Sequence, residues 1–577
     1  TILGNAVHGI ETSGAVNGIT IGGTGTTDRN VVSGNTQHGI LLGSGALGVT
    51  VQGNRIGTDA AGGAPLGNQR YGVQVGAGAS AAAIVIGGTD PAAGNLVSGN
   101  GWDGLAITAG GATVQGNRIG TDAAGNLAVP NRGSAGVLMS GTANGVVFGG
   151  AATGAGNQVS GNTLRGILVY AGSHTFQGNR IGTDAAGNAA LRNNEVGLVI
   201  DSGAGPQQVG GRAAGEGNTI SGNLYSGIWI NSATAGGTVI EGNRIGVGVD
   251  GTTVVANGWD GVSMRLGTTG NVRIGGTQTG AGNVIAGNTG AGVRIDIGTE
   301  GNAILGNSIY GNGQIGIDLN IAGNAFGTPD GVSLNDGAKI AGRPNRQMDF
   351  PTITSARARG SQLTLAGYVG TAAGPTTFGG ARVELFVADG DASGYGEGRT
   401  YLGTITTNAD GSFSGTVPMT VSGLRLGSQL TATATDGSNN TSEFGPAFAG
   451  VLIDQIVNHV GDAVDANPGD GLCETATAGQ CTLRAAIQEA NAWSGSGNPI
   501  TIAFGLPGCP ATVSACTITP ASALPNVTRS GTVIDAQTQT GWTLDPVVVL
   551  TGGSAGGVSG LTLAAADVTV RGLVING

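Results

Sequence analysis

From Asn95 to Asn117 three short apolar stretches follow one another, "NLVSGN", "DGLAIT" and "ATVQGN". The same triplet returns as "NQVSGN", "RGILVY", "HTFQGN", and again as "NTISGN", "SGIWIN", "TVIEGN". Within each stretch the apolar positions alternate, which is the period of a strand and not of a helix. Gly and Asn fill the joints, where a left-handed backbone is often required. Three short strands and three turns predict one rung of a coil whose alternate Val, Ile and Leu point into a tube. Rungs that pair with the rungs above and below make a parallel β-helix.

Gly-Asn pairs begin at Gly94, Gly116, Gly156, Gly178, Gly217, Gly242, Gly282 and Gly306, in steps that alternate between about 22 and about 40 residues. The long step reads as a rung that carries a loop, so long and short rungs should alternate. That loop opens with a ten-residue repeat, "GNRIGTDAAG", at Gly53, Gly116 and Gly178, and with a worn copy, "GNRIGVGVDG", at Gly242. In such a stack Asn54, Asn117, Asn179 and Asn243 take equivalent turns, as do Asn95, Asn157, Asn218 and Asn283. An Asn buried at a turn can bond the backbone of the next rung. These eight residues are therefore candidates for a structural ladder.

The rung pattern runs over residues 1–346. From 347 to 449 it gives way to longer alternating strands, "SQLTLAGYVG", "ARVELFVADGD" and "TYLGTITTNADGSFSGTVP", with "NADGSF" as a hairpin turn. This length and pattern predict a β-sandwich of immunoglobulin-like architecture. Residues 450–577 change character again. Thr482 is placed to cap a helix over Leu483–Ala492, with Leu483, Ala486, Ile487 and Ala490 on one face. After it, "TVIDAQTQTG", "LTLAAADVTV" and "RGLVING" predict the start of a second β-helix.

Gly supplies 117 of the 577 residues, while only 10% are charged and 39% are hydrophobic. Disorder would need far fewer branched apolar residues, so a folded, turn-rich, all-β chain is expected. The net charge is −11, the pI is near 4.8 and Lys339 is the only lysine. No basic run exists to track phosphates, which disfavours a nucleic-acid partner. No apolar run is long enough to span a bilayer. Residue 1 already lies inside the repeat, so the expectation is a mature chain or a window of a longer one. Four cysteines, Cys473, Cys481, Cys509 and Cys516, sit in one segment without zinc-site spacing. Two local disulfides are the simplest reading and imply an oxidising, extracellular compartment, although four cysteines allow three pairings.

The repeats "GN-x-IGTD" and "GN-x-ISGN-x-x-x-GI", with "GNSIYGNGQIGIDLN" and "RPNRQMDFPTITSA" near their end, resemble the right-handed parallel β-helix repeat proteins of bacteria. The stretch "CTLRAAI" resembles the CSLREA motif found before β-helices in bacterial surface and secreted proteins, with Thr482 and Ala485 as departures. That resemblance implies a surface or secreted protein, and it suits the helical segment to the role of a lid on an open solenoid end. It carries little specific chemistry.

Catalysis has weak support. His8, His38, His174 and His459 lack ligand spacing, and Ser554 in "GGSAG" matches G-x-S-x-G as a Gly-rich chain does by chance. Asp59, Asp122 and Asp184 recur at one repeat position, as do Arg55, Arg118, Arg180 and Arg244, and repetition favours scaffold over an active site. Calcium is the stronger chemical expectation. Asp462, Asp465, Asn467 and Asp470 fall in one Gly-turn loop, and Asp389, Asp391 and Glu397 in another, offering oxygens to a hard cation. Trp102 and Trp259, both in "GWDG", are either a sugar platform or covers over the tube, and the latter is favoured. The expected function is a non-catalytic extracellular fibre, sheath or adhesin stalk. Its partners would be copies of itself, head to tail, or neighbouring tandem modules. The alternative is a β-helix that binds or degrades polysaccharide.

Overall fold

The computed structural model describes residues 4–25, 27–76, 84–265, 270–322, 330–419, 424–495, 499–510 and 516–577. Three wholly parallel sheets, of 11, 10 and 10 strands, are each built from every third strand in chain order. The chain therefore visits the sheets in turn and climbs one rung per circuit, which is a parallel β-helix. In the first sheet Ile10 lies opposite Ile40, then Val73, Leu105, Val137 and Ile167. The file continues through Leu198, Ile228, Val262, Val293 and Ile317. These residues stack inside the tube as one core, and strands of two or three residues suffice because each is paired on both sides.

Successive partners in that file are 30 to 34 residues apart, and 24 in the last step. This corrects the expected alternation of short and long rungs. The rungs are nearly uniform, and the loop changes corner. In one rung it leaves after Arg55–Ile56, and in the next it leaves after Val85–Gly87. Parallel pairing fixes the strands, while a loop can leave at any corner without shifting register. The second glycine of the ten-residue repeat is required by the turn. Gly120 has φ +90°, and a Cβ there would collide with Asn162 Oδ1 and the Ser160 carbonyl.

Pro351–Arg359 and Gln362–Val369 begin a second body of two sheets. The first sheet adds Ser412–Pro418 antiparallel and Val451–Ile453 parallel. The second pairs Arg382–Ala388 with Gly398–Thr406 and Leu430–Thr435. Leu363, Leu365 and Phe413 of one sheet share a core with Val383, Leu385 and Leu430 of the other. Phe386 and Phe444 instead join the core of the tube, so the two-sheet body plugs its end.

A second parallel stack follows. Gln455–Val457, Ile500–Phe504, Thr532–Asp535 and Thr569–Arg571 form one sheet, and Thr517–Ile518, Val548–Thr551 and Leu573–Asn576 another. The helix Leu483–Ala492 is inserted after its first strand. The Thr482 hydroxyl accepts the Ala485 N–H at 3.1 Å, and Leu483, Ala486, Ile487 and Ala490 are buried. Disulfides join Cys473 to Cys481 and Cys509 to Cys516, with Cα separations of 5.3 and 5.1 Å. Among the described residues, no helix is long and apolar enough to cross a membrane.

Candidate functional site: the polar ladders and their acidic end

The eight Asn residues singled out above stand in a single file that starts at Asn30 and ends at Asn307. At each step, Asn30 to Asn54 to Asn95 to Asn117 and on, the backbone N–H and Nδ2 of one Asn both donate to Oδ1 of the next, at 2.8–3.2 Å. The pattern continues through Asn157, Asn179, Asn218, Asn243, Asn283 and Asn307. Nδ2 also reaches back, as from Asn117 to the Ile86 carbonyl at 2.8 Å. The amide thus satisfies turn groups that the sheets leave unpaired.

A second file was missed in the sequence. Asn5, Asn35, Asn68, Asn100, Asn131 and Asn162 each donate Nδ2 to Oδ1 of the next, and so do Asn193, Asn223, Asn257 and Asn288, up to Asn312; at alternate steps from Asn35 the backbone N–H donates as well. Its signal is the Asn that stands four residues before a Gly, as in Asn35 and Gly39 or Asn162 and Gly166.

Both files point one way, so the last rung has donors left over. Buried acidic side chains of the two-sheet body lie at this end, and one of them, Glu397, meets the last Asn of the second file. Glu397 accepts the N–H of Asn312 at 3.0 Å and its Nδ2 at 2.9 Å. Glu384 accepts the Gly306 N–H at 2.7 Å, and Glu443 accepts the N–H groups of Leu319 and Ser333 at 2.9 and 2.8 Å. A carboxyl group has acceptor capacity on both oxygens, which suits a ladder that ends in donors. Burial pushes Glu397 up to about 9 and Glu443 up to about 8, and raises Glu384.

The residues expected to hold calcium are not gathered into an oxygen cage. Glu397 ends the Asn ladder, and Asp389 accepts the N–H groups of Gly311 and Glu397. Asp391 accepts only the Ser393 N–H. Asp462 forms a two-pronged pair with Arg484, at 2.9 and 2.8 Å. Asp465 accepts the N–H groups of Asn467 and Glu474, and Asp470 accepts that of Leu472 and pairs with Arg425 at 3.3 Å. Turn amides and arginines occupy these oxygens. Among the described residues no group of three or more His, Cys, Asp or Glu is placed to hold a metal.

The repeated acids are engaged in their own loops. Asp59 accepts from Gly63 and Ala64, Asp122 from Asn126 and Leu127, and Asp184 from Gly187, Asn188 and Ala189. The amides of Ala64 and Gly63 hold Asp59 below the usual carboxylate range. Ser554 lies in an exposed turn with no helix after it. His174 Nδ1 accepts the Val146 N–H at 3.1 Å, and His459 Nδ1 accepts that of Gly461.

The aromatic residues stack along the coil. His8, His38 and Tyr71 lie on consecutive rungs with centroids 4.9 and 5.2 Å apart and planes 13° from parallel. Trp102 meets the edge of Tyr71 and carries Arg70 over its ring, and Trp259 stacks on Tyr225 at 4.2 Å and on Trp229 at 6.2 Å. Ring faces turned on one another or on Arg70 are poorly placed to receive a sugar. Comparison with known protein families finds no family model that matches the chain.

Proposed function

We propose that the chain is a non-catalytic structural module of an extracellular fibre, sheath or adhesin stalk. The observation that carries this reading is the use made of its polar groups. Two unbroken Asn files join rung to rung, and the acids that sequence reasoning offered for chemistry are engaged by turn amides, arginines or the ladder end. Two disulfides support an oxidising compartment. One parallel stack, a two-sheet body and a second parallel stack with a disulfide-stapled helix after its first strand lie in one chain, which favours a tandem, modular array. Incubation with neutral and acidic cell-surface polysaccharides should release no new reducing ends and no unsaturated sugars, while electron microscopy of the native material should place the protein on elongated surface structures. Release of either product would refute the reading.

The second reading, a surface for acidic polysaccharide, has one observation in its favour. Arg55, Arg118, Arg180 and Arg244 stand on the outer face of the third sheet, two rungs apart. None of the four has a side-chain hydrogen bond or ion pair among the described residues. Two rungs are about 10 Å, which suits an extended polymer that shows the same face every second sugar. A salt-dependent affinity for an acidic polysaccharide that falls in Arg118→Ala would support this second role; affinity unchanged by salt or by the substitution would remove it.

A further inference from the structure

Asp318 lies in the last strand of the first sheet, Ile317–Asn320, between two residues that face the tube. It is fully buried, and neither of its carboxylate oxygens meets a hydrogen-bond donor. Burial raises the Asp318 carboxyl, and Asp330, its nearest acidic neighbour in effect, raises it further. Asp330 Oδ2 accepts the Ala322 N–H at 2.9 Å, but its Oδ1 is buried without a donor. Glu443 stands nearby, with its oxygens spent on the amides of Leu319 and Ser333. Across the strand pair, Arg294 is directed to Asp296 at 3.1 Å.

Three buried carboxylate oxygens of two neighbouring acids are therefore left without donors where the tube meets the two-sheet body. A buried carboxylate left alone is costly, and two neighbouring ones are more so. Arg294, opposite Asp318 in the sheet, offsets this only in part, and a bound cation or a shared proton would relieve the rest. We propose that Asp318 and Asp330 bind a hard divalent cation of the calcium class. The atoms left without donors are all oxygens, without nitrogen or sulfur, which is the donor chemistry calcium takes and zinc or copper does not. The two carboxylates balance its charge, and backbone carbonyls and water would supply the rest of its shell. The ion would pin the segment that follows the last rung to the capped end of the solenoid.

The test uses the full chain. Equilibrium dialysis should find one calcium bound per chain, and Tm should rise with calcium concentration above its value in EGTA. Both effects should be lost in Asp318→Asn and in Asp330→Asn, and both should persist in Asp470→Ala. In EGTA, Asp318→Asn should melt no lower than the wild type, because the unmatched buried charge is gone, and this guards against a trivial folding defect. The proposal is overturned if the wild type binds no calcium and melts identically with and without it, which would leave a shared proton between the two carboxyl groups. A calcium response that survives in both Asn variants would overturn it equally.

Discussion

The side chain of Asn117 takes part in five hydrogen bonds. Its Nδ2 reaches the carbonyls of Ile86 and Gln115 and the Oδ1 of Asn157, and its Oδ1 accepts two donors from Asn95. Asn117→Ala leaves the donors of Asn95 and the Oδ1 of Asn157 underused in a buried place. The expected loss is about 3 kcal/mol, read by denaturant unfolding. A change within experimental error would mean that water replaces the ladder without cost. His38 offers a test by pH. Burial, with His8 and Arg70 nearby, pushes its imidazole from 6.5 down to about 4. Between those values the unfolded chain binds the proton more readily than the folded one. Stability contributed by His38 is therefore complete above about pH 6.5 and is lost as pH falls toward 4. His38→Phe keeps a ring in the stack and should flatten that part of the wild-type stability curve; superimposable curves would contradict the assignment.

At the scale of elements, the two ladders behave as strands of amide bonds with a direction, and Glu397 terminates the second. Glu397→Ala strips the acceptor from two donors of Asn312, at about 1–3 kcal/mol for buried donors left unpaired. Chemical denaturation should register this, with the junction between the tube and the two-sheet body opening first. The alternation of apolar residues was legible in the sequence because each strand pairs on both sides and must face the tube every second residue. The helix was legible too, since Thr482 and the spacing of Leu483, Ala486, Ile487 and Ala490 are local features. The uniform rung was not. Two loop types at different corners gave Gly-Asn steps of about 22 and about 40 residues, which resemble two rung lengths. Nor was the role of Glu397, whose partner Asn312 is 85 residues away. The acidic Gly turns gave no sign of their engagement with turn amides and arginines, because a carboxylate that caps turn amides and one that binds calcium have the same composition nearby. Asp318 and Asp330 carried no local signal, as the lack of donors around their oxygens shows only in the fold.

Across the whole molecule, eleven strands at ~4.8 Å give a tube about 50 Å long. Its core continues into Phe386 and Phe444, so its far end is closed by side chains as well as by carboxylates. A rod held by nearest-neighbour rungs gains stability from every interface it adds, and the ladders make those interfaces alike. Particles with a rod about 50 Å long joined to a globular end are the expected appearance of the isolated segment of residues 1–449. Hydrogen exchange followed by mass spectrometry on the full chain tests the central claim most directly. If the Asn files bind the rungs into one unit, peptides spanning Asn35 to Asn288 should lose protection together and slowly, while the loops at 57–67 and 120–130 exchange early. Ladder peptides that exchange as fast as those loops would contradict the account.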